Sequence, residues 1–256
     1  MRPATRNGGF ALITTLWLVA MLTTVVGLGL ATARLGVQTT ANRIHLAQGR
    51  WAAEACLAIA EARWVQGRLA DTGTIDLGQG KACAWRVHDP TARVNVNVAE
   101  PQVITALAGS LARVIVERRR TAPFESLEQL RGLSLDSAAL THLTVDGPGA
   151  VNVNAASAVV LAALPGMTPE AVDLVLYRRS VGRPIETLDA LAGALSPPAR
   201  ATLLANYADL ARGATFTAPQ LVLTAEGWSG RLGARIELLV VPLPERLAVI
   251  RKRMLW

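Results

Sequence analysis

The chain begins with a long apolar run that carries no charge. From Phe10 to Ala33 every residue is uncharged, and Arg34 ends the run. As a helix this segment is about 36 Å long at about 1.5 Å per residue, and a bilayer core of about 30 Å needs about 20 apolar residues. The pattern therefore predicts a membrane-spanning helix over residues 10–33.

The helix is predicted to continue beyond the membrane, because no proline occurs between Pro3 and Pro90. Its second half has apolar residues at steps of three, four and seven, which places them in one stripe. We expect this stripe to be the face that packs on the sheet of a globular domain. Its members are Val37, Ala41, Ile44, Trp51, Ala55, Ala58, Ala62 and Val65.

Strand patterns occur on both sides of a long central region. The segment "ACAWRVHD" at residues 82–89 alternates in the way a half-buried strand does. After Ala214, "QLVLTAEGW" and "ARIELLVVPLP" have strand composition, with Gly230 and Gly233 at a turn between them. The two ends of the chain are therefore predicted to build one domain, and the central region is predicted to be inserted in it.

The central region contains an internal repeat. "VNVNVAEPQVITALAG" starts at Val94 and "VNVNAASAVVLAALPG" starts at Val151, while "RTAPFESLEQLRGL" is similar to "VGRPIETLDALAGAL" further on. Each unit is predicted to hold an extended start, a helix, a second helix ending in Arg, a Pro turn and a short third helix. Asn97 and Asn154 are predicted to be helix caps or turn formers.

The charge pattern bears on topology. The formal net charge is +7, and the segment before Phe10 is short and basic, which favours the cytoplasmic side for it and the outer side for the rest. Three alternatives remain for the apolar run: a permanent anchor, a secretory signal cleaved after Ala33, or a signal cut between Gly9 and Phe10. A secretory signal usually has an apolar region of only about 7–15 residues, which weakens the second alternative.

The stretch "RNGG" followed by "FALITTLWLVAML" resembles the type IV pilin-like signal. In that family a basic leader ends in Gly, a prepilin peptidase cuts after it, and the new N-terminal Phe is methylated. The resemblance implies cleavage and N-methylation at Gly9 and Phe10. Most pilins carry Glu at the fifth mature position, where this chain has Thr14.

The change at Thr14 has a physical meaning. A free amine buried among apolar helices is costly without a counter-charge. The resemblance implies that the pilin Glu neutralises the amine of the subunit above it, so a subunit with Thr14 suits the tip, where no subunit lies above. In the alternative, Thr14 is a tolerated hydroxyl that bonds back to a helix carbonyl.

The order of all these parts resembles the K-type minor pseudopilins of type II secretion (the GspK family). The implied fold class is α+β: a long N-terminal transmembrane helix with a pilin-like helix-plus-sheet domain, interrupted by an all-helical insertion of two SAM-like or helix-hairpin-helix-like repeats. The predicted divisions are the leader at 1–9, the transmembrane part at 10–33, a discontinuous pilin-like domain at 34–92 and 214–256, and helical repeats at 93–150 and 151–213.

The resemblance implies that the protein caps the tip of the type II secretion pseudopilus and helps to initiate its assembly for protein export. It implies an inner-membrane protein with one membrane span and a large periplasmic C-terminal domain. The implied partners are the I- and J-type minor pseudopilins, the prepilin peptidase and membrane lipid, with secreted substrates and the secretin as further candidates. Some members bind calcium, but no multi-carboxylate loop here matches such a site, and we expect no cofactor.

The second repeat also resembles the helix-hairpin-helix of membrane-anchored DNA receptors, in which N–H groups at a helix start hold a phosphate. Thr168 stands where that hairpin has its second Gly, and Pro169 has no N–H to give. Arg178, Arg179 and Arg183 are candidates for phosphate contacts. A hairpin used only for packing is the favoured interpretation, and the DNA receptor is the alternative function.

The sequence contains no recognisable catalytic pattern. His45, His88 and His142 are far apart, and there is no GxSxG, P-loop or CxxC motif, so we expect no enzymatic activity. The two cysteines, Cys56 and Cys83, are candidates for a disulfide in an oxidising periplasm. Such a bond would stabilise by up to about 3 kcal/mol in the chain-entropy model. The alternative is a pair of buried apolar thiols.

Overall fold

The computed structural model describes residues 8–133 and 136–255, with side chains from residue 12 onward. The described part combines one very long helix, a five-stranded sheet and a region of short helices. The predicted leader lies outside the described residues except for Gly8 and Gly9, whose backbone is helical. The side chain of Phe10 also lies outside them.

The elements follow one another in a simple order. The first helix, α1, runs from Gly8 to Val65. The strands are β1 (Thr72–Gly78), β2 (Lys81–His88), β3 (Val94–Asn95), β4 (Leu143–Thr144), β5 (Val151–Asn152), β6 (Ala214–Thr215), β7 (Leu221–Ser229), β8 (Leu232–Leu243) and β9 (Arg246–Leu255). The other helices are α2 (Pro101–Ala108), α3 (Ala112–Thr121), α4 (Leu127–Arg131), α5 (Ser137–Thr141), α6 (Ala158–Ala162), α7 (Pro169–Ser180), α8 (Leu188–Gly193), α9 (Pro197–Ala205) and α10 (Tyr207–Gly213).

The large sheet is antiparallel, in the order β1-β2-β7-β8-β9. Strand β2 ends at His88, which lies opposite Val222 near the start of β7. The chain therefore leaves the sheet on one strand and returns on its immediate neighbour. Residues 89–220, which we call the intervening segment, form the helical region between these two strands.

Helix α1 is continuous, as the lack of proline predicts. All described side chains from residue 12 to residue 40 are exposed, and the helix is long and apolar enough to cross a membrane, with a mean hydropathy of 2.0 in its most apolar window. Threonine hydroxyls in this part bond back to the preceding turn. Thr23 donates to the Val19 carbonyl at 2.9 Å, and these bonds satisfy groups that have no water partner in lipid.

The second half of α1 packs on the sheet through small residues. The helical face that meets the sheet consists of Gly49, Ala52, Ala53, Cys56 and Ala60, which are all buried. The prediction that the large apolar stripe forms this face is wrong. A close approach of the helix and sheet backbones needs small side chains. The large residues of the predicted stripe, such as Ile44 and Trp51, are exposed on the side of the helix away from the sheet.

Polar contacts fix α1 along the sheet. The buried hydroxyl of Ser229 on β7 donates to the side-chain oxygen of Gln48 at 2.7 Å, and the His45 ring nitrogen Nδ1 lies 3.0 Å from the same hydroxyl. At the end of the helix, the Trp64 indole N–H donates to the Leu243 carbonyl at 2.7 Å. These contacts hold opposite ends of the packed half of the helix.

Two hydrophobic cores are present in the described residues. The first lies between α1 and the sheet and includes Trp85, Leu223 and Ile236. The second fills the intervening segment as one continuous cluster, from Val94 in β3 to Leu210 in α10. Both helical units share this second core, so they are packed against each other and do not have separate cores.

Short parallel strand pairs close each helical unit. Strand β3 pairs with β4, and β5 pairs with β6. The sequence prediction placed residues from 214 onward in the sheet domain, but Ala214 and Thr215 pair with Val151 and Asn152 instead. The large sheet therefore resumes at Leu221.

Candidate functional site

A row of exposed apolar side chains runs along α1 on the side away from the sheet. Val37 is 70% exposed, Ile44 52% and Trp51 69%, although all three lie on the half of α1 that packs on the sheet or directly before it. Each is seven residues from the next, and the row continues through Ala58 to the exposed Val65. Alanines fill three of the four intermediate positions, and the fourth, Gln48, is bonded to Ser229 of the sheet. We call the remaining set the helix seam; it consists of Val37, Ala41, Ile44, Trp51, Ala55, Ala58, Ala62 and Val65.

The spacing of the seam is that of a helix–helix interface. Apolar residues at alternating steps of three and four keep one stripe facing a partner helix over many turns. An amphipathic helix normally buries its large apolar residues in its own domain. Here the domain buries the small face of α1, and its large apolar face is exposed, which is typical of an interaction surface.

An apolar groove continues the seam onto the sheet edge. It has a volume of about 350 Å³ and lies between Leu57 and Ala58 of α1 and Leu247 and Val249 of β9. Ala58 belongs both to the seam and to this groove. A partner helix that lies along the seam therefore also reaches the edge of the sheet.

Charges border the same surface. Glu54 accepts hydrogen bonds from Arg50 at 3.3 Å and from Lys252 at 3.4 Å. Desolvation acts to raise the pKa of Glu54, but these bonds and the two positive charges outweigh it and lower the pKa below its usual range. A carboxylate beside the groove therefore stays ionised at neutral pH.

Thr14 lies in the exposed, membrane-competent part of α1. Its predicted role concerns contacts between subunits, and the single chain does not test it. The predicted processing site at Gly9 and Phe10 is likewise not tested, because only the backbone is described there.

Cys56 and Cys83 are brought together between α1 and β2. The structure joins them in a disulfide with a Cα–Cα distance of 5.9 Å, and both are fully buried. Trp85 lies two residues further along β2, also in this core, with the Arg63 guanidinium 4.8 Å from its ring centre. The disulfide thus connects α1 to β2 on the face of the helix opposite the helix seam.

The two helical units repeat the same polar contacts. In the first, the Asn97 side chain accepts a hydrogen bond from the Phe124 N–H at 2.7 Å and donates to its carbonyl. In the second, Asn154 makes the same two bonds with Ile185 and a third with the Phe216 carbonyl. These asparagines therefore join the start of each unit to its Pro turn, and neither is a helix cap.

The other asparagine of each VNVN motif forms the turn. Asn95 accepts from the backbone N–H of Asn97, and Asn152 accepts from that of Asn154, both at 3.0 Å. Sequence reasoning missed these two residues as turn formers. The signal was present, since a short amide readily bonds to the backbone two residues on.

Arginines also occupy matching places. Arg119 at the end of α3 donates to the carbonyls of Val96 and Ala99, and Arg179 near the end of α7 donates to those of Ala155 and Ala156. Burial lowers the pKa of the Arg119 guanidinium, which the nearby charge of Glu100 opposes. These two arginines hold the fold of their own unit, so they are not free to bind phosphate.

The hairpin of the second unit packs inward. Gly166 has a φ of +76°, and a Cβ there would meet Leu203 and Asn206 at the end of α9. Thr168 caps α7 by accepting from the N–H of Ala171 at 3.3 Å. The hairpin that resembles a DNA-binding loop is therefore a packing element.

No group of three or more His, Cys, Asp or Glu in the described residues is placed to share a metal ion. Asp89, the first residue of the intervening segment, already accepts hydrogen bonds from the Thr91 N–H at 2.8 Å and from the Asn152 side chain at 2.7 Å.

The long apolar helix, which fits a single-pass membrane anchor, and the antiparallel sheet packed on its second half define a mixed helix-and-sheet fold. Residues 94–146 match the protein family described as Type II secretion system (T2SS), protein K. The match supports the resemblance to the K-type minor pseudopilins over this part of the chain. It gives no support to the DNA receptor.

A solved structure shares the fold. One chain of the crystal structure of the GspK-GspI-GspJ complex from the type 2 secretion system of enterotoxigenic Escherichia coli superposes with a TM-score of 0.58. The alignment has 13% sequence identity and covers 88% of this chain and 99% of that chain. A comparison with curated protein sequences gave no match.

Proposed function

We propose that the protein caps the tip of a type II secretion pseudopilus and helps to initiate its assembly, in complex with I- and J-type minor pseudopilins. The observation that carries this proposal is the helix seam. The domain leaves a heptad row of large apolar residues exposed, and the length of that row suits a partner's long helix. The solved GspK-GspI-GspJ complex supports the choice of partners.

The pilin-like signal supports an orientation and a processing step. The leader at residues 1–9 remains cytoplasmic until a prepilin peptidase removes it, and Phe10 becomes the methylated N-terminus. The domain after the membrane span lies in the periplasm, where Cys56 and Cys83 are oxidised. Thr14 in place of the pilin Glu restricts the subunit to the tip.

The intervening segment provides the bulk that a cap needs. We assign residues 93–150 and 151–213 to two helix-hairpin-helix-like repeats inserted in a pilin-like domain formed by 34–92 and 214–256. The matched asparagine and arginine contacts support common ancestry of the two repeats. The role is structural: the protein is not an enzyme and needs no cofactor.

The test is co-purification of the full chain with the I- and J-type subunits from detergent-solubilised membranes. Trp51→Asp places a charge in the centre of the seam, and we expect it to reduce recovery of the partners at least about tenfold. Trp51 is 69% exposed, so the variant should keep its unfolding midpoint. Ile44→Asp should have the same effect.

The matched control is Tyr177→Asp, which changes an equally exposed aromatic residue (64%) on α7 of the intervening segment. It should leave recovery of the partners unchanged. Full recovery of both partners with Trp51→Asp and Ile44→Asp would exclude the seam as the assembly surface.

A further inference from the structure

A large cleft lies on the face of the sheet that is turned away from α1. It has a volume of about 1110 Å³. Its floor is a cross-strand row in which Arg86 lies opposite Thr224, Thr224 opposite Glu237, and Glu237 opposite Arg253. Its wall is the part of the intervening segment at residues 125–131 and 144–146. The cleft is therefore bounded by both parts of the molecule.

Most charges in this cleft are paired. Glu226 forms an ion pair with Arg235 at 2.8 Å, and Glu128 with Arg131 at 3.5 Å. Glu237 lies within 4.0 Å of Arg253. These pairs cancel each other and leave no net charge for a ligand.

Two guanidinium groups are the exception. Arg86 and Arg93 are exposed and line the cleft, and neither side chain makes an ion pair or hydrogen bond with the described part of the chain. His88 lies beside them on β2. Desolvation and then the charge of Arg93 lower its pKa, which the charges of Asp146 and Asp89 oppose, so the imidazole is uncharged at neutral pH. Glu125 contributes one carboxylate on the opposite wall. One end of the cleft is thus a cationic corner formed by Arg86 and Arg93.

The cleft and the helix seam are on opposite sides of the same sheet. Along β2, Cys83 and Trp85 point into the core under α1, while Arg86 and His88 line the cleft. A partner helix on the seam therefore does not cover the cleft. The cleft therefore stays accessible when the seam is occupied.

We propose that this cleft binds an extended acidic segment of an exported protein, with a carboxylate held between Arg86 and Arg93. An open channel over a sheet suits an extended chain, whose polar groups can remain partly hydrated. Unpaired guanidinium groups favour a carboxylate, which they bind in a bidentate way. The identity of the ligand as exported cargo rests on the proposed function, whereas the binding chemistry does not.

The experiment measures fluorescence anisotropy of a short fluorescein-labelled peptide of Gly, Ser and Asp with the full chain in detergent micelles at low salt. The same peptide with Asn in place of Asp is the reference ligand. We expect the Asp peptide to bind more tightly, and expect Arg86→Gln with Arg93→Gln to weaken it at least about fivefold.

The control is Arg113→Gln with Arg183→Gln, which removes the same charge from two exposed arginines outside the cleft. It should leave peptide binding within about twofold. Equal binding of the Asp and Asn peptides, or equal loss in both double variants, would overturn the proposal.

Co-purification distinguishes a cleft that binds cargo from a cleft that binds a partner subunit. We expect Arg86→Gln with Arg93→Gln to retain the I- and J-type partners, which the seam binds. Loss of those partners in this variant would assign the cleft to a subunit contact and overturn its role for cargo. Failure of the Trp51→Asp test would instead remove the proposed function and leave the peptide measurement intact.

Discussion

Gly227 of β7 lies directly under Gly49 of α1, and neither position has room for a side chain. A Cβ on Gly227 would overlap the Gly49 carbonyl oxygen and the amide nitrogen of Ala53. A Cβ on Gly49 would come within 3.1 Å of the Gly227 carbonyl oxygen. This pair of glycines sets the distance between the helix and the sheet.

We therefore expect Gly227→Ala to destabilise the fold by at least about 2 kcal/mol, because the helix must move off the sheet to admit the methyl group. The measurement is the thermal unfolding midpoint of the full chain in detergent. Gly193→Ala is the control, since a Cβ at Gly193 of α8 meets nothing within 4 Å. A midpoint unchanged by Gly227→Ala would mean that the helix and sheet are not packed this closely.

The cysteine pair gives a second prediction. Because Cys56 and Cys83 are bonded, alkylation of denatured, unreduced protein should find no free thiol. Cys83→Ser should lower stability by about 3 kcal/mol in the chain-entropy account, and a reducing agent should lower the midpoint of the original chain only. Two free thiols in the native protein would eliminate the disulfide.

Asn154 makes hydrogen bonds to three backbone groups that bond to no other side chain in the described structure: the Ile185 N–H, the Ile185 carbonyl and the Phe216 carbonyl. Asn154→Ala leaves the Ile185 N–H and the Ile185 and Phe216 carbonyls without this partner, and should cost about 2 kcal/mol or more. Asn97→Ala should cost somewhat less, because Asn97 makes two such bonds rather than three. Asn206→Ala, which removes a single exposed bond to Thr202, should change the unfolding midpoint little.

The N-terminus is the first measurement to make. Mass spectrometry of the membrane-bound protein should find a methylated Phe10 that depends on a prepilin peptidase. An intact Met1 would favour a permanent anchor, and a start at Arg34 would favour a secretory signal.

Thr14→Glu tests the place of the subunit in the filament. Thr14 is exposed on α1, so we expect an unchanged fold. If the tip position depends on an uncharged residue here, the added carboxylate should change the number or length of pseudopili seen by electron microscopy. Filaments of unchanged number and length would count against the tip argument.

The sequence predicted the helices and strands of this fold better than it predicted which face of each element is buried. The repeat of "VNVN" and its Pro turns predicted two similar helical units, and the same asparagine and arginine contacts recur in both. The sheet-packing face of α1 was predicted wrongly, because periodicity identifies an apolar stripe but not the partner that covers it. Gly227 within a strand was the available signal, since such a glycine often marks a close backbone approach.

The cationic corner was beyond sequence reasoning for a different reason. Arg86 and Arg93 are two among many arginines, and their lack of partners depends on the side chains that the fold brings near them. Pairing in the cleft is decided across strands β2, β7, β8 and β9, which are distant in sequence. A charge count gives the total but not the residues that remain unneutralised.

For the sheet, the intervening segment takes the place of a hairpin turn between β2 and β7. Closing a long loop costs only slightly more than closing a shorter one, because the entropy grows with the logarithm of the length. Residues 89–220 could thus be lengthened, shortened or exchanged without shifting the register that places His88 opposite Val222. Proteins with the same long helix and sheet are therefore free to carry helical regions of very different size between these two strands.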